Sequence, residues 1–250
     1  IEETKQSLLD TKAWLDEAAQ FDPLVKPIIT PRFVPSCTSE LMTGLAKLTK
    51  EYDVPVQSHL SENHGEIDWV ASLHPESSNY TDVYYEHHLM GKVPTVMAHC
   101  IHLSDVEMDR MADTQTMVSH CPYSNVNLSS GIAPIRKLIE RNIPIGLGSD
   151  ISGGHIVSMA KVLTEAIGLS KMKWAEVDQN YAPLTLSEAF YMATKGGGQF
   201  FGHVGSFEDG CELDALIIDD TSLFDPNERS LEERLERWLY VGDDRHIIER

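Results

Sequence analysis

Positive charge is what this sequence has least of. Its 250 residues set 20 Lys and Arg against 39 Asp and Glu, a formal net charge of −19 at pH 7. That balance argues against nucleic acid or an anionic membrane surface as a partner, and leaves a neutral base or nucleoside open as a substrate. No apolar run approaches the ~18 residues of a spanning helix, and no charged-then-apolar signal segment opens the chain. The cysteines are few and scattered: Cys37, Cys100, Cys121 and Cys211 form no C-x-x-C pair. A cysteine zinc site is therefore not expected, and reduced thiols in the cytoplasm are. No G-x-G-x-x-G follows a strand-like run, which counts against a dinucleotide fold.

What remains is the composition of a globular α/β protein, with 42% hydrophobic and 24% charged residues. The length suits one large domain or two ordinary ones. Ile1 to Ala19 reads as an amphipathic helix, with Leu8, Leu9, Trp14, Leu15 and Ala18 at helical spacing. Residue 1 is Ile rather than Met and already lies inside that pattern. The chain is therefore expected to be a fragment, or the ordered part, of a longer protein.

From residue 26 onward β-prone runs alternate with helical ones. Strands are expected at Lys26–Ile29, Val54–Gln57, Pro94–His99, Thr116–Cys121 and Pro144–Ser149. Helices are expected at Ser39–Tyr52, Ile67–Leu73, Ser104–Met111 and Ile135–Arg141, with a polar loop at Tyr123–Leu128. This period predicts right-handed parallel βαβ units, either part of a (β/α)8 barrel or an open doubly wound sheet. Beyond residue 156 the pattern changes to helices at 156–169, 186–193 and 231–238, with a late strand at Gly210–Asp219.

The strand ends carry the chemistry. In such sheets the side chains at a strand's carboxyl end face the crevice where ligands bind. The first strand ends in Arg32 and Phe33, a planar donor fork beside a stacking face; Arg32 could equally pair with a surface acid. The second delivers His59 and, three residues on, Glu62. Neutral imidazole is a zinc ligand, and a nearby carboxylate can move protons between an activated water and a substrate. A plainer reading leaves His59 a half-buried hydrogen-bonded histidine and Glu62 a solvated loop acid. The third strand ends in His99 and the fourth in His120, which reads better as packing under a site than as a ligand. The fifth ends in Asp150, a metal-capable carboxylate or the cap of the next helix. His87-His88 lies on a helical stretch, where adjacent residues do not share a face, and is not expected to ligate.

With Thr30-Pro31-Arg32-Phe33, Gln57-Ser58-His59-Leu60-Ser61-Glu62-Asn63, Met97-Ala98-His99, His120-Cys121-Pro122-Tyr123-Ser124-Asn125, Gly146-Leu147-Gly148-Ser149-Asp150 and Leu239 to Arg245 in hand, the chain resembles the amidohydrolase superfamily. Within it, the likeness is to the branch that deaminates guanine. The resemblance implies a distorted (β/α)8 TIM-type barrel. Residues 1–204 would form its carboxy-terminal strands and helices, and 205–250 part of a small β domain with a closing helix. It also implies one zinc per subunit, a homodimer, and hydrolysis of guanine to xanthine and ammonia in purine catabolism. Glu62, His99 and Asp150 would then be the catalytic residues. Arg32, Phe33, His59, Glu62 and Asp150 would contact the purine, and His59 and Asp150 would hold the zinc. His99 would hold the reacting water by a hydrogen bond, and Asp150 would accept its proton. The His-x-His pair of the family's first strand does not occur here, so strands one to three would precede Ile1 and the final strand would follow Arg250. The alternatives are the same chemistry on another aminated ring (another purine, a pterin or a triazine), or a metal-free interaction protein.

Overall fold

The computed structural model describes residues 2–223 and 225–250. The chain divides into two units, Ile1–Ser119 with Leu138–Pro144, and His120–Lys137 with Ile145–Arg250.

In the first unit, helix α1 (Thr4–Ala18) turns Leu15 and Ala18 inward. Helix α2 (Ser39–Tyr52) has the expected bounds, because both of its ends are written locally. The Thr38 hydroxyl accepts from the Leu41 amide, and Asp53 stops the helix in the left-handed region at φ 52°. Met42, Leu45 and Leu48 are its buried stripe, as the pattern predicts.

The first expected strand is reduced to a single parallel bridge between Ile29 and Val56. Pro27 and Pro31 flank Ile29 and have no N–H to give a ladder. The bridge is made by the bonds from the Ile29 amide to Pro55 O (3.0 Å) and from the Gln57 amide to Ile29 O (2.9 Å). Strand β1 runs Val56–Leu60, two residues later than expected at its start. The Val54 amide is spent on Thr49 O and Pro55 has none, so pairing starts at Val56. Five parallel pairs with β2 (Thr95–His99) carry the strand through to Leu60, which places His59 inside it.

Helix α3 (His64–Leu73) starts three residues before the expected Ile67, because the Asn63 side chain caps it. The ambiguous stretch after it resolves into α4 (Tyr80–Glu86), capped by Asn79. His87 Nδ1 bonds back to Val83 O at 2.8 Å, and His88 sits at φ 62°. Helix α5 (Asp105–Asp113) opens with a Ser104–Glu107 capping box. Strand β3 (Met117–His120) follows and pairs parallel with β2.

In the second unit, Pro122–Asn127 forms helix α6 where a polar loop was expected. Proline at its first position is pre-set for a helix start, and it outweighs the polar composition. After α7 (Ile135–Glu140) comes β4 (Ile145–Leu147), completing a sheet in the order β1-β2-β3-β4. Helix α8 (Met159–Glu176) is shifted later and is longer than expected. Helix α9 (Leu186–Tyr191) runs on into a π-turn over Met192–Gly196. A Cβ on Gly196 would meet Tyr191 O at 2.8 Å and Ile145 O at 3.0 Å, so glycine is what lets this turn approach β4. The expected late strand shrinks to β5 (Ile217–Ile218). After α10 (Leu231–Val241) it pairs antiparallel with β6 (Ile247–Glu249). Among the described residues no helix is long and apolar enough to cross a membrane.

Candidate active site

The carboxyl end of β1 gathers five of the six residues singled out from the sequence. His59 stands next to last in the strand. Its amide donates to Arg32 O at 3.3 Å, and its Nδ1 hydrogen-bonds the same carbonyl. A carbonyl oxygen can only accept, so in the neutral ring the proton sits on Nδ1 and the lone pair on Nε2. That is the tautomer in which Nε2 can take a metal, oriented by a backbone bond behind it. The His59 and His99 rings stack with centroids 5.2 Å apart and planes at 24°.

His99 is 1% exposed and sits at φ 71°, followed by Cys100 at φ 52°. Two successive non-glycine residues in the left-handed region are uncommon, and such strain gathers at functional sites. Glu62 lies two residues beyond β1, with Oε2 3.8 Å from His99 Nε2, too long for a hydrogen bond but close enough for a charge to be felt. At the rim, Phe33 meets Trp69 edge to face at 6.2 Å, and the Arg32 guanidinium lies 5.6 Å from the centre of the Phe33 ring. A cavity of about 850 Å³ opens beside them, lined by Trp14, Ile28, Arg32, Phe33, Leu41 and Trp69 among others. Trp69, which the sequence reading passed over, belongs to this apolar rim. Its place on α3 one turn beyond Glu66 was the only available signal.

Behind the strand lies a buried layer of hydroxyls. Ser58 Oγ donates to Pro31 O at 2.7 Å and lies 2.6 Å from Tyr84 Oη; Tyr84 Oη donates to His59 O at 2.9 Å. Burial, more than any neighbouring charge, pushes both the Tyr80 and Tyr84 phenols well above their ordinary range, so both stay protonated donors.

Asp150, the sixth residue, belongs to the second unit, three residues past β4 and at φ 43°. Asn127 Nδ2 donates to Gly153 O at 2.7 Å, closing the loop that follows. The Ser124 hydroxyl, on α6, is fully buried and has no hydrogen-bond partner among the described residues. His120 is 2% exposed.

His59 Nε2 and the Asp150 carboxylate are donors of a kind zinc takes. Among the described residues, however, no group of three or more His, Cys, Asp or Glu side chains is placed to hold a metal. A catalytic zinc commonly has three protein ligands.

A family model described as Amidohydrolase family matches residues 2–248. Guanine deaminase of Dictyostelium discoideum is 45% identical over 99% of this chain and 56% of its own length. A crystal structure of guanine deaminase from C. acetobutylicum, with guanine bound in its active site, is 52% identical. It superposes with a TM-score of 0.96 over 100% of this chain and 59% of that one. An adenosine deaminase from Xanthomonas campestris with bound zinc shares the fold at 22% identity, with a TM-score of 0.78 over 89% of this chain and 51% of that one. The chain thus spans a little over half the length of the curated relative it matches.

Proposed function

The chain belongs to the amidohydrolase family, and from that premise we propose that it is part of an enzyme that hydrolyses guanine to xanthine and ammonia. The observation that carries the reading is the convergence of Arg32, Phe33, His59, Glu62 and His99 at the end of one strand, a stacking rim above two imidazoles and a carboxylate. The likeness to a guanine-bound enzyme over the whole of this chain supports the choice of ring.

Zinc, when bound, would supply a water acidic enough to attack at neutral pH. His59 through Nε2 and Asp150 through its carboxylate are the residues of this chain that would hold it, one zinc per subunit. The chain's other groups handle the ring and its protons. Phe33 stacks on the purine and Arg32 donates to its carbonyl or ring nitrogen. Asp150 accepts a proton from the attacking water. Glu62 passes one to the ring nitrogen beside the attacked carbon, and His99 orients the water by a hydrogen bond. The exocyclic amine then leaves as ammonia, so that guanine and water become xanthine and ammonia in balance.

Residues 1–204 are the barrel part and 205–250 the contribution to the small β domain, a division supported by the β5–β6 pair. A cytoplasmic setting is supported by four free cysteines. Homodimer formation rests on the family resemblance. The test is to follow xanthine formation from guanine by the purified protein, with adenine, a pterin and an aminotriazine as competing substrates. Turnover of guanine at least a hundredfold above the others, by kcat/KM, supports the reading. Preference for another ring, or no release of ammonia with zinc present, overturns it.

A further inference from the structure

Glu66 is a buried carboxylate that no step above uses. It is 7% exposed, in the first turn of α3, and two donors converge on it. Tyr80 Oη donates to Oε1 at 2.7 Å, and the backbone amide of Glu62 donates to Oε2 at 2.8 Å. The start of α3 adds the favourable end of a helix dipole.

The amide that Glu66 holds belongs to the proposed proton carrier. Just before it, Ser61 turns the chain at φ 50°, and Ser61 O accepts from the amides of Ile101 (3.1 Å) and His102 (3.2 Å) just beyond β2. The turn is therefore pinned at successive peptide groups: the carbonyl of Ser61 from the β2 side, and the amide of Glu62 by Glu66 from α3. Without the second pin Glu62 would keep its sequence position and lose a fixed starting point for its side chain. A carboxylate that must reach both a water and a ring nitrogen depends on that point, since misplacement by about 1 Å is enough to slow a positioned reaction a hundredfold.

We infer that Glu66, itself held by Tyr80, is a positioning residue for Glu62, fixing the backbone from which that carboxylate moves protons. The inference rests on the reading of Glu62 given above. It is sharpened by the geometry of the two donors. Glutamine at 66 has one oxygen, so it can accept from Tyr80 or from the Glu62 amide while its NH2 faces the other donor. Phenylalanine at 80 removes one donor and leaves the volume of the ring in place.

The test uses the complete protein with E66Q and Y80F, reading kcat, KM, zinc content and hydrogen exchange at the Glu62 amide. The expected result is a kcat lowered tenfold or more in E66Q and severalfold in Y80F. KM for guanine should stay within threefold, zinc content unchanged, and the Glu62 amide should exchange faster. Should E66Q not fold, Y80F alone carries the comparison. Full kcat in the folded variant, or an unchanged exchange rate at Glu62, overturns the inference. A wild-type protein that does not turn over guanine overturns the functional reading alone, because the amide-exchange arm still decides whether Glu66 holds Glu62.

Discussion

Gly153→Ala should separate activity from stability. A Cβ built on Gly153 would lie 2.6 Å from Asp150 Oδ2 and 2.6 Å from Ser124 Oγ. Ordinary contact begins at 3.4 Å, so the shortfall is 3.4 − 2.6 = 0.8 Å on each side. Gly153 needs no left-handed backbone, unlike Asp150 and Ser152 around it, so alanine does not meet the left-handed penalty there. Both obstructing atoms are side-chain ends that can rotate away. The fold should therefore lose little: a local overpacking cost, partly offset by the ~0.4–1 kcal/mol a Gly→Ala change gains in the unfolded chain. The carboxylate cannot stay where it is, however. Moving a proton acceptor by nearly 1 Å is of the order that lowers a rate about a hundredfold. The measurements are kcat on guanine and the urea midpoint, in wild type and G153A. The expected outcome is a kcat down about a hundredfold with stability changed by about 1 kcal/mol or less. A kcat within threefold of wild type would refute the role of Asp150's placement, and a large loss of stability would refute the steric argument itself.

Other outcomes follow from the same geometry. Phe33→Ala removes the stacking face against Trp69 and should raise KM for guanine about tenfold with less effect on kcat, as steady-state kinetics would show. His59→Ala deletes the Nε2 donor and should lower zinc per chain by elemental analysis; unchanged zinc content would remove His59 from the ligand set. Arg136 grips Glu188 at 2.6 and 2.9 Å and the carbonyls of Ala182 and Pro183 at 3.0 Å. Its guanidinium holds the Glu188 carboxyl down at about 2, from an ordinary 4.5. A depressed carboxylate stabilises the fold above its unfolded value, and that contribution is lost as pH falls from about 4.5 through 2. Arg136→Met should thus cost about 2 kcal/mol in urea unfolding at pH 7, allowing for partial exposure, and progressively less below pH 4. A pH-independent difference would count against the ion pair.

Local chemistry made parts of this protein readable in advance, and the helix from Ser39 to Tyr52 is the clearest case. Its cap, its stripe and its stop are all written within it, at Thr38, at Met42, Leu45 and Leu48, and at Asp53. The residues at the strand ends were legible for a related reason. A strand ends where a proline or polar run begins, so His59 and His99 could be placed at the ends of β1 and β2, and Asp150 just past β4. The Glu66 carboxylate had a partial signal in Asn63-x-x-Glu66, the spacing of a helix cap. Its second partner, Tyr80, lies fourteen residues away on another helix, and nothing local announces that contact. Strand limits were likewise decided by partners. Val56–Leu60 is as long as its register with Thr95–His99 allows, while prolines on either side of Ile29 leave only a bridge. Ile217–Ile218 is a strand only because residues 247–249 come back to pair with it. Sequence determined which residues can cap, stop or ligate, because those are properties of single side chains and their near neighbours. Tertiary structure decided which backbone groups find partners and which carboxylate holds which amide, because hydrogen bonds between distant segments exist only once the chain has folded.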